Sequence, residues 1–447
     1  MSIFSREISG VLFLLGSFVI LSLNLFFEKS FIESLVLFFG WLLIIAFLYR
    51  PKWGLFLILF FRLIIDKLGS EVILSVGDNL RFSLSAAFGV LVVFLLSIFL
   101  FKNLRLIKIG RIGFLWILLI LASLVSFFWS INLQASFYEF VRVLGIFMIF
   151  CSFYLVAKEE DYNESIIYAI IFSSIIPFTV AFYQFLTKNG LGGTSGIESR
   201  LYGTFSHPNQ FAFFSVIVIA CLLYVILIKK GLYKLSFYHG LLMINLFLLI
   251  QTFSRGAWLA FLVFVFVLSM FRSVKIIIGL ILISFLLFLV SPSIQERVED
   301  IYNPPADSSI KWRILQWERA YKAYQKSSYI GYGLGTEIIV HENEYGFYVG
   351  DPYTHNDFVR NFLEVGIPGG IAYILLLIVT GVVLFKNYRK ATGDDLKTFN
   401  LFVFSIFISM VILSFSDNVL RGTINQWIIW GLIGTSITLS SNKKELV

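Results

Sequence analysis

Charged residues are scarce in this sequence: they make up 14% of the 447 residues, whereas hydrophobic residues make up 58%. A water-soluble fold is excluded because a chain of this length cannot bury that much apolar surface. Apolar runs of roughly 17–25 residues recur, the length at which a helix crosses a ~30 Å hydrocarbon core. The polar–apolar alternation of an outer-membrane barrel is missing. The sequence therefore predicts an all-α, polytopic transmembrane helical bundle.

Cysteine and histidine are also rare, with two and four copies. Cys151 and Cys221 lie inside apolar runs, so we expect core residues and no disulfide. The histidines show no metal-ligand spacing, and we predict no metal. No P-loop, dinucleotide fingerprint or GxSxG motif occurs. We expect no cofactor, no nucleic-acid partner, and a substrate that is already activated in the membrane.

The apolar runs predict about fourteen spans within a single transmembrane domain, residues 1–447. They lie near 9–27, 31–49, 53–66, 82–101, 112–130, 138–157, 164–187, 209–228, 236–253, 256–271, 274–291, 368–385, 399–416 and 424–439. Basic residues cluster after the spans ending near 101, 228 and 385. This bias predicts that these loops and both termini are cytoplasmic.

The opposite side then carries a large polar insertion, residues 292–367, with the character of a soluble protein. Its segment SSIKWRILQWERAYKAYQKS (308–327) has apolar residues at helical spacing with basic residues between them. This pattern predicts an amphipathic helix on the outer membrane surface. The segment GYGLGT after it predicts a helix-breaking loop.

Polar residues on the same side mark the predicted starts of inward helices. Pro208 and Asn209 begin one span and Ser254 and Arg255 another, while THNDF (354–358) opens a short helix that breaks at GIPGG. Helix N-termini attract anions. Four arginines add full positive charges on this side: Arg200, Arg255, Arg313 and Arg360.

Arginines at an outer interface run against the positive-inside tendency and therefore predict an anionic partner. The anion available at that depth is the phosphate or diphosphate of a lipid headgroup, which a guanidinium binds bidentately. Two alternatives stay open. Arg255 can be a snorkelling or capping residue, and Arg313 can lie on a solvated helix face.

His355 is the candidate for acid–base chemistry because histidine titrates near neutral pH. It lies where the insertion meets the membrane, before Asn356 and Asp357, which can orient its ring or cap the helix. The alternative is a structural or surface histidine. His207, in HPN, is the weaker candidate because that tripeptide is typical of a turn and cap.

Four segments occur in a fixed order: GTFSHPNQFA, TFSRGAWLAF, KWRILQWERAY followed by GYGLGT, and HNDFVRNFLEVGIPGG. Together they resemble the O-antigen ligase and O-antigen polymerase superfamily of bacterial inner-membrane glycosyltransferases. The last segment fits the ligase pattern of His, Asn, nine residues, Gly, two residues, Gly at His355, Asn356, Gly366 and Gly369. The resemblance covers roughly 160–435, and upstream only the hydropathy agrees.

The resemblance implies a GT-C-type fold of about 12–14 spans and an active site that faces the periplasm. It also implies a glycan donor on undecaprenyl diphosphate, with neither nucleotide sugar nor metal. The family's essential histidine and arginines map to His355, Arg255 and Arg313, and less directly to Arg200. The secondary candidates are Asn356, His207, Asn209 and Arg360.

Three functions follow as hypotheses. The first is a ligase that moves the glycan onto lipid A–core, and the His-Asn pattern favours it. The second is a polymerase that joins lipid-linked repeats of O-antigen, capsule or exopolysaccharide, which two extra spans relative to ligases favour. The third is a flippase or transporter, which predicts charges along a mid-membrane path. The charges near spans form no repeated pattern: Arg62, Asp66, Glu139 and Arg142.

Overall fold

The computed structural model describes most of the chain. The described residues are 31–71, 73–76, 80–108, 110–158, 162–192, 199–228, 232–272, 309–327, 329–346 and 353–442, with the single positions 278, 295 and 299. The predicted span 9–27 lies outside these residues, and so does the span 274–291 apart from position 278.

The described chain is almost entirely helical. Its α-helices are α1 (Phe31–Tyr49), α2 (Pro51–Glu71), α3 (Leu84–Lys102), α4 (Gly110–Val125), α5 (Leu133–Val156), α6 (Tyr162–Ser173), α7 (Ile175–Thr187), α8 (Pro208–Ile228), α9 (Leu232–Gln251), α10 (Arg255–Arg272), α11 (Ser309–Lys326), α12 (Glu337–Tyr345), α13 (Asp357–Lys390), α14 (Asp394–Leu413) and α15 (Thr423–Asn442). A hairpin of β1 (Ile73–Val76) and β2 (Leu80–Ser83) joins α2 to α3. Its four-residue strands are too short to leave an alternating pattern in the sequence.

Eight of the described helical segments are long and apolar enough to cross a membrane. They are 84–102, 110–129, 133–156, 164–187, 208–228, 255–272, 357–390 and 394–413. Shorter apolar helices cover 39–49 and 236–251. The predicted spans 53–66 and 424–439 coincide with α2 and α15, which are helical but do not count among the eight. The prediction of an all-α polytopic bundle is confirmed.

The helix α13 is two helices joined at a break. Gly366 lies inside it with φ 70° and ψ −163°, so residues 357–365 form a short helix and a long one follows. Pro368 falls in the first turn of the second helix, where no backbone donor is needed. A Cβ at Gly366 would lie 2.5 Å from the carbonyl oxygen of Ile330. The predicted short helix that breaks at GIPGG is confirmed.

The centre of the bundle is formed by α15 packed along α5. A Cβ at Gly434 would lie 2.6 Å from the carbonyl oxygen of Phe150, so glycine permits the close approach of the two backbones. Across the same contact, the Thr438 hydroxyl donates to the carbonyl of Tyr154 at 2.7 Å. Small residues at helix contacts and hydroxyl bonds across them stabilise membrane bundles. This close packing holds α5, which carries Glu139 and Arg142, against α15.

The glycine-rich segment 331–336 packs closely against neighbouring segments of the bundle. Its glycines have left-handed backbone conformations: Gly331, Gly333 and Gly335, with φ of 84°, 102° and 81°. A Cβ at Gly333 would lie 2.5 Å from the side chain of Ser130. The Gly333 N–H donates to the carbonyl of Glu364 at 2.8 Å. The predicted helix-breaking loop is therefore a tight connection that carries the start of α12 into the bundle.

The predicted amphipathic helix is confirmed as α11. Ala320 and Ala323 are buried in a small cluster with residues of α12 and α13. Ile314 and Tyr321, on the predicted apolar face, are 55% and 56% exposed. Its contact with a membrane surface stays a prediction.

Candidate functional site

One cavity at one end of the bundle is lined by many polar and charged side chains. It has a volume of about 370 Å³ and lies where α2, α5 and the start of α8 meet the segment before α13 and the loop 414–422. Its charged and histidine lining residues are Arg62, Asp66, Arg142, His207, His355, Asp417 and Arg421.

His355 and Asp417 form a hydrogen-bonded pair in this cavity. Nδ1 of the ring lies 3.1 Å from Oδ1 of the carboxylate, and the side chains are 14% and 20% exposed. Partial burial acts to raise the pKa of the Asp417 carboxyl. The hydrogen bond to His355 and the positive charge of Arg313 outweigh this effect and hold that pKa below its usual range. An ionised carboxylate only accepts, so Nδ1 carries the proton and the neutral ring is basic at Nε2.

His355 itself has a φ of 49°, a left-handed conformation that non-glycine residues seldom adopt. Such strain persists only where the surroundings hold the residue in place, and it concentrates at functional sites. Asn356 supplies part of that support. Its Oδ1 accepts from the N–H groups of Phe358 and Val359 at 3.0 and 3.1 Å, which caps α13.

Asn356 also ties the start of α13 to the loop 414–422. Its backbone N–H donates to Oδ1 of Asn418 at 3.1 Å, and its side-chain amide donates to the carbonyl of Phe415 at 3.2 Å. The loop that carries Asp417 is therefore fixed to the segment that carries His355. Asn356 therefore caps α13, whereas the hydrogen bond to the imidazole ring comes from Asp417.

His207 lines the same cavity. Its Nδ1 accepts from the backbone N–H of Asn209 at 3.1 Å, as a turn and cap at HPN require. This bond makes Nδ1 the acceptor, so the neutral ring carries its proton on Nε2. The structure thus brings His207 and His355 to one cavity.

Arg200 and Asn209 hold neighbouring segments together. Nε of Arg200 donates to the carbonyl of Thr252 at 2.9 Å, and Nη2 donates to Oδ1 of Asn209 at 2.9 Å. The Ser254 hydroxyl donates to the same Oδ1 at 3.1 Å. Asn209 lines the cavity, whereas Arg200 does not. Arg200 is therefore one contact away from the histidines.

Arg255 and Arg313 also lie outside the cavity lining. Arg255 begins α10, directly after Ser254, so it follows the residue that contacts Asn209. Arg313 lies in α11 and is near enough for its charge to lower the pKa of Asp417. None of the four predicted arginines lines the cavity, whereas Arg62, Arg142 and Arg421 do.

A network of buried charged residues lies next to the cavity and is connected to it by Arg421. Arg360 is 1% exposed and pairs with Glu139 and Glu364. Arg421 Nη2 lies 3.5 Å from Glu337 and 3.6 Å from Glu364. Arg360 thus pairs with carboxylates, as a buried arginine must. None of the three glutamates lines the cavity.

Residues 240–374 match a family model described as O-Antigen ligase. The resemblance to the O-antigen ligase and polymerase superfamily is confirmed. The O-antigen ligase match runs from α9 through the insertion to the second part of α13, and includes Arg255, Arg313, His355 and Arg360. A search of curated proteins gives no match.

Five charged residues that line the cavity lie outside both the O-antigen ligase match and the predicted site: Arg62, Asp66, Arg142, Asp417 and Arg421. In the sequence, Arg62, Asp66 and Arg142 bear only on the transport hypothesis. The sequence does carry a signal for the arginines inside predicted spans, because an ionisable residue in an apolar stretch is by default a candidate for a functional site. Asp417 and Arg421 lie in the turn SFSDNVLRG between the last two spans, which belongs to none of the four segments that carry the resemblance.

The arrangement combines a base with several cationic donors. Arg421 is held over the ring of Tyr353, with its Cζ 4.4 Å from the ring centre, and its guanidinium reaches both the cavity and the buried glutamates. A base at His355 and guanidinium groups around it suit proton removal from one group and stabilisation of negative charge on another. In the part of the chain that the structure describes, no three His, Cys, Asp or Glu side chains cluster as metal ligands.

Proposed function

We propose that this protein is a membrane glycosyltransferase that moves a glycan from an undecaprenyl-diphosphate donor to an acceptor hydroxyl. The reaction takes place at the periplasmic face of the bacterial inner membrane, with both termini in the cytoplasm. The observation that carries the proposal is the pairing of His355 with Asp417 in a cavity that Arg142 and Arg421 also line. The O-antigen ligase match supports the same chemistry.

The proposed reaction is a single displacement. The acceptor hydroxyl oxygen attacks the anomeric carbon, and Nε2 of His355 takes its proton as the new carbon–oxygen bond forms. The bond from the anomeric carbon to the diphosphate oxygen breaks, and its electron pair stays on the diphosphate. Asp417 stabilises the imidazolium that results. The anomeric centre is inverted.

Arginines supply the second part of the mechanism. Arg421 and Arg142 present guanidinium groups to the cavity, where they can stabilise the charge that grows on the departing diphosphate. A preorganised donor of this kind contributes about 2.7–4 kcal/mol to transition-state stabilisation. Arg255, Arg313 and Arg200, which the resemblance implies, remain proposed diphosphate ligands from positions around the cavity. The mechanism needs neither metal nor cofactor.

The proposed acceptor is lipid A–core, because the family model is described as O-Antigen ligase. A polymerase that joins two lipid-linked repeats uses the same donor chemistry, and it is the alternative that the number of predicted spans favours. Transport is disfavoured because the charges of α2 and α5 do not follow a path across the bundle. Arg62, Asp66 and Arg142 line one cavity, and Glu139 pairs with Arg142.

The test uses the purified full chain in lipid nanodiscs with an undecaprenyl-diphosphate glycan, with and without lipid A–core. Transfer to lipid A–core identifies a ligase, and a product ladder without it identifies a polymerase. His355→Gln should abolish either product, whereas His239→Gln, an exposed histidine in α9, should leave the rate unchanged. An intact donor under both conditions with wild-type protein would overturn the proposal.

A further inference from the structure

A second hollow continues from the cavity of His355. It has a volume of about 500 Å³ and lies mainly between α3 and α5. The two share part of their lining: Arg62, Ser85, Arg142 and Thr423. We call this second hollow the α3/α5 groove.

The α3/α5 groove is polar where α3 and α5 begin, at Ser83, Ser85 and Gln134, and mainly apolar further along both helices. Val90 and Val93 contribute from α3, Phe137 and Val141 from α5, and Trp427 from α15. Its lining on α3 and α5 falls within the first ten or so residues of each helix, about 15 Å of helix. Both helices are membrane-spanning candidates. The groove therefore covers about half of a ~30 Å hydrocarbon core, the thickness of one leaflet.

The side chains of two arginines, Arg62 and Arg142, line both the groove and the cavity. Arg62 is 8% exposed and donates to the Ser85 hydroxyl at 2.6 Å. Arg142 is paired with Glu139 and its side chain is 33% exposed. A groove at leaflet depth, with apolar side chains along both helices and two arginines at its junction with the cavity, matches an amphiphile with an anionic head and a long hydrocarbon tail.

We infer that the α3/α5 groove seats the isoprenoid chain of a polyprenyl diphosphate and that Arg62 and Arg142 bind the phosphate next to that chain. The inference rests on the proposed function and adds where the donor lies. The sugar attached to the second phosphate then projects into the cavity of His355. Arg421 is left to contact the sugar-bearing phosphate, whose oxygen takes the electron pair when the whole polyprenyl diphosphate leaves.

Another apolar groove competes for the lipid chain. It has a volume of about 590 Å³ and lies between α13 and α14. Its one charged lining residue is Lys386, and it shares no lining residue with the cavity of His355. One end of this groove, at Phe358 and Phe415, is close in sequence to His355 and Asp417, but neither Arg62 nor Arg142 lines it. The two grooves therefore predict different labelling patterns.

Gly89 gives a sharp test of the α3/α5 groove. It lines the groove, and a Cβ added there would meet no atom within 4 Å. Gly89→Phe should fill the groove, and we expect the KM for the lipid donor to rise at least 10-fold. Gly89→Ala should leave the groove open. Gly240→Phe, at a glycine of α9 whose Cβ also meets no atom within 4 Å, is the matched control and should bind donor normally.

Photolabelling of the wild-type chain gives an independent measurement. The probe is a polyprenyl diphosphate that carries a diazirine on an isoprene unit near the diphosphate, and adducts are located by peptide mass spectrometry. We expect adducts in 84–93 and 134–142, reduced about 10-fold by Gly89→Phe and unchanged by Gly240→Phe.

The outcomes separate this inference from the proposed function. Adducts in 374–411, or labelling that Gly89→Phe leaves undiminished, in protein that still transfers glycan overturn the α3/α5 groove alone. No labelling together with no glycan transfer overturns both. A Gly89→Phe chain that fails to fold leaves the wild-type labelling pattern to decide.

Discussion

Nδ1 of His355 lies 3.1 Å from Oδ1 of Asp417, although 62 residues separate the two in the sequence. The contact joins the segment before α13 to the loop between α14 and α15. Asn356 fastens the same two segments through Asn418 and Phe415. The histidine and its carboxylate are therefore held in position before a substrate arrives, and no rearrangement is needed to form the pair.

Asp417→Asn should lower the rate of glycan transfer by about 10²–10⁴-fold. The amide keeps the shape of the carboxylate but no longer stabilises the imidazolium that forms in the reaction. The acid limb of the pH–rate profile should shift to lower pH for the same reason. The measurement is kcat between pH 5 and 8. A purely structural role would lower stability and leave that limb in place.

The pH range of this experiment isolates the histidine. The pKa of Asp417 is lowered by folding, so its carboxylate contributes stability above the unfolded value of about 3.9. That contribution is lost only as the pH falls below this value. The double variant His355→Gln/Asp417→Asn should be no slower than His355→Gln alone, because the two residues act as a unit.

Arg360→Met should destabilise the protein by about 3–5 kcal/mol, because Glu139 and Glu364 lose the buried arginine that they share and keep only Arg142 and Arg421 as partners. The free energy of unfolding in detergent measures the change. Adding Glu139→Gln should recover part of the loss, since it removes one of the buried negative charges that Arg360 helped to balance. Arg389→Met, an exposed arginine on the same helix, is the control and should change stability by less than about 0.5 kcal/mol. Equal losses of stability in Arg360→Met and Arg389→Met would contradict the proposed role of Arg360 as a counter-charge for the buried glutamates.

Gly333→Ala should unfold at lower temperature than the parent and than Gly346→Ala. Both glycines have left-handed φ, 102° and 80°, so both changes incur a backbone cost of about 1–3 kcal/mol. Only Gly333 adds a steric clash, with the new Cβ 2.5 Å from Ser130, whereas a Cβ at Gly346 meets no atom within 4 Å. Thermal unfolding of the two variants separates backbone strain from the clash. Equal transitions would show that segment 331–336 does not need its close packing.

The stability of helix α12 should decrease at mildly acidic pH. Burial lowers the pKa of His341, and the negative charge of Glu337 only partly opposes that effect. The unfolded chain therefore binds more protons below about pH 6.5, so stability falls as the pH drops through that value. Hydrogen exchange across Glu337–Tyr345, corrected for intrinsic rates, should be faster at pH 5.5 than at pH 7.5. His341→Gln should abolish this difference and His239→Gln should preserve it.

Local signals in the sequence predicted the local structure well. Glycine and proline marked the break of α13 at Gly366, and Asn356 was recognised as a possible cap. The site is harder to predict from the sequence, because its residues come together only when distant helices pack against each other. Arg360 reaches Glu139 across 221 residues, and no periodicity encodes which helices become neighbours. Cationic residues were expected around His355, but those that line its cavity include Arg421, which a pattern centred on the insertion does not reach.

The size of the cavity has a consequence for the range of sugars that the protein can handle. A space of about 370 Å³ is at the small end of sites that enclose one drug-sized molecule, about 300–1,000 Å³. A polysaccharide of many repeats cannot fit inside it. Under the proposed function, only the sugar nearest the lipid is recognised, and the remainder trails into the aqueous space. One such enzyme would then transfer short and long glycans alike, provided that their first residue is the same.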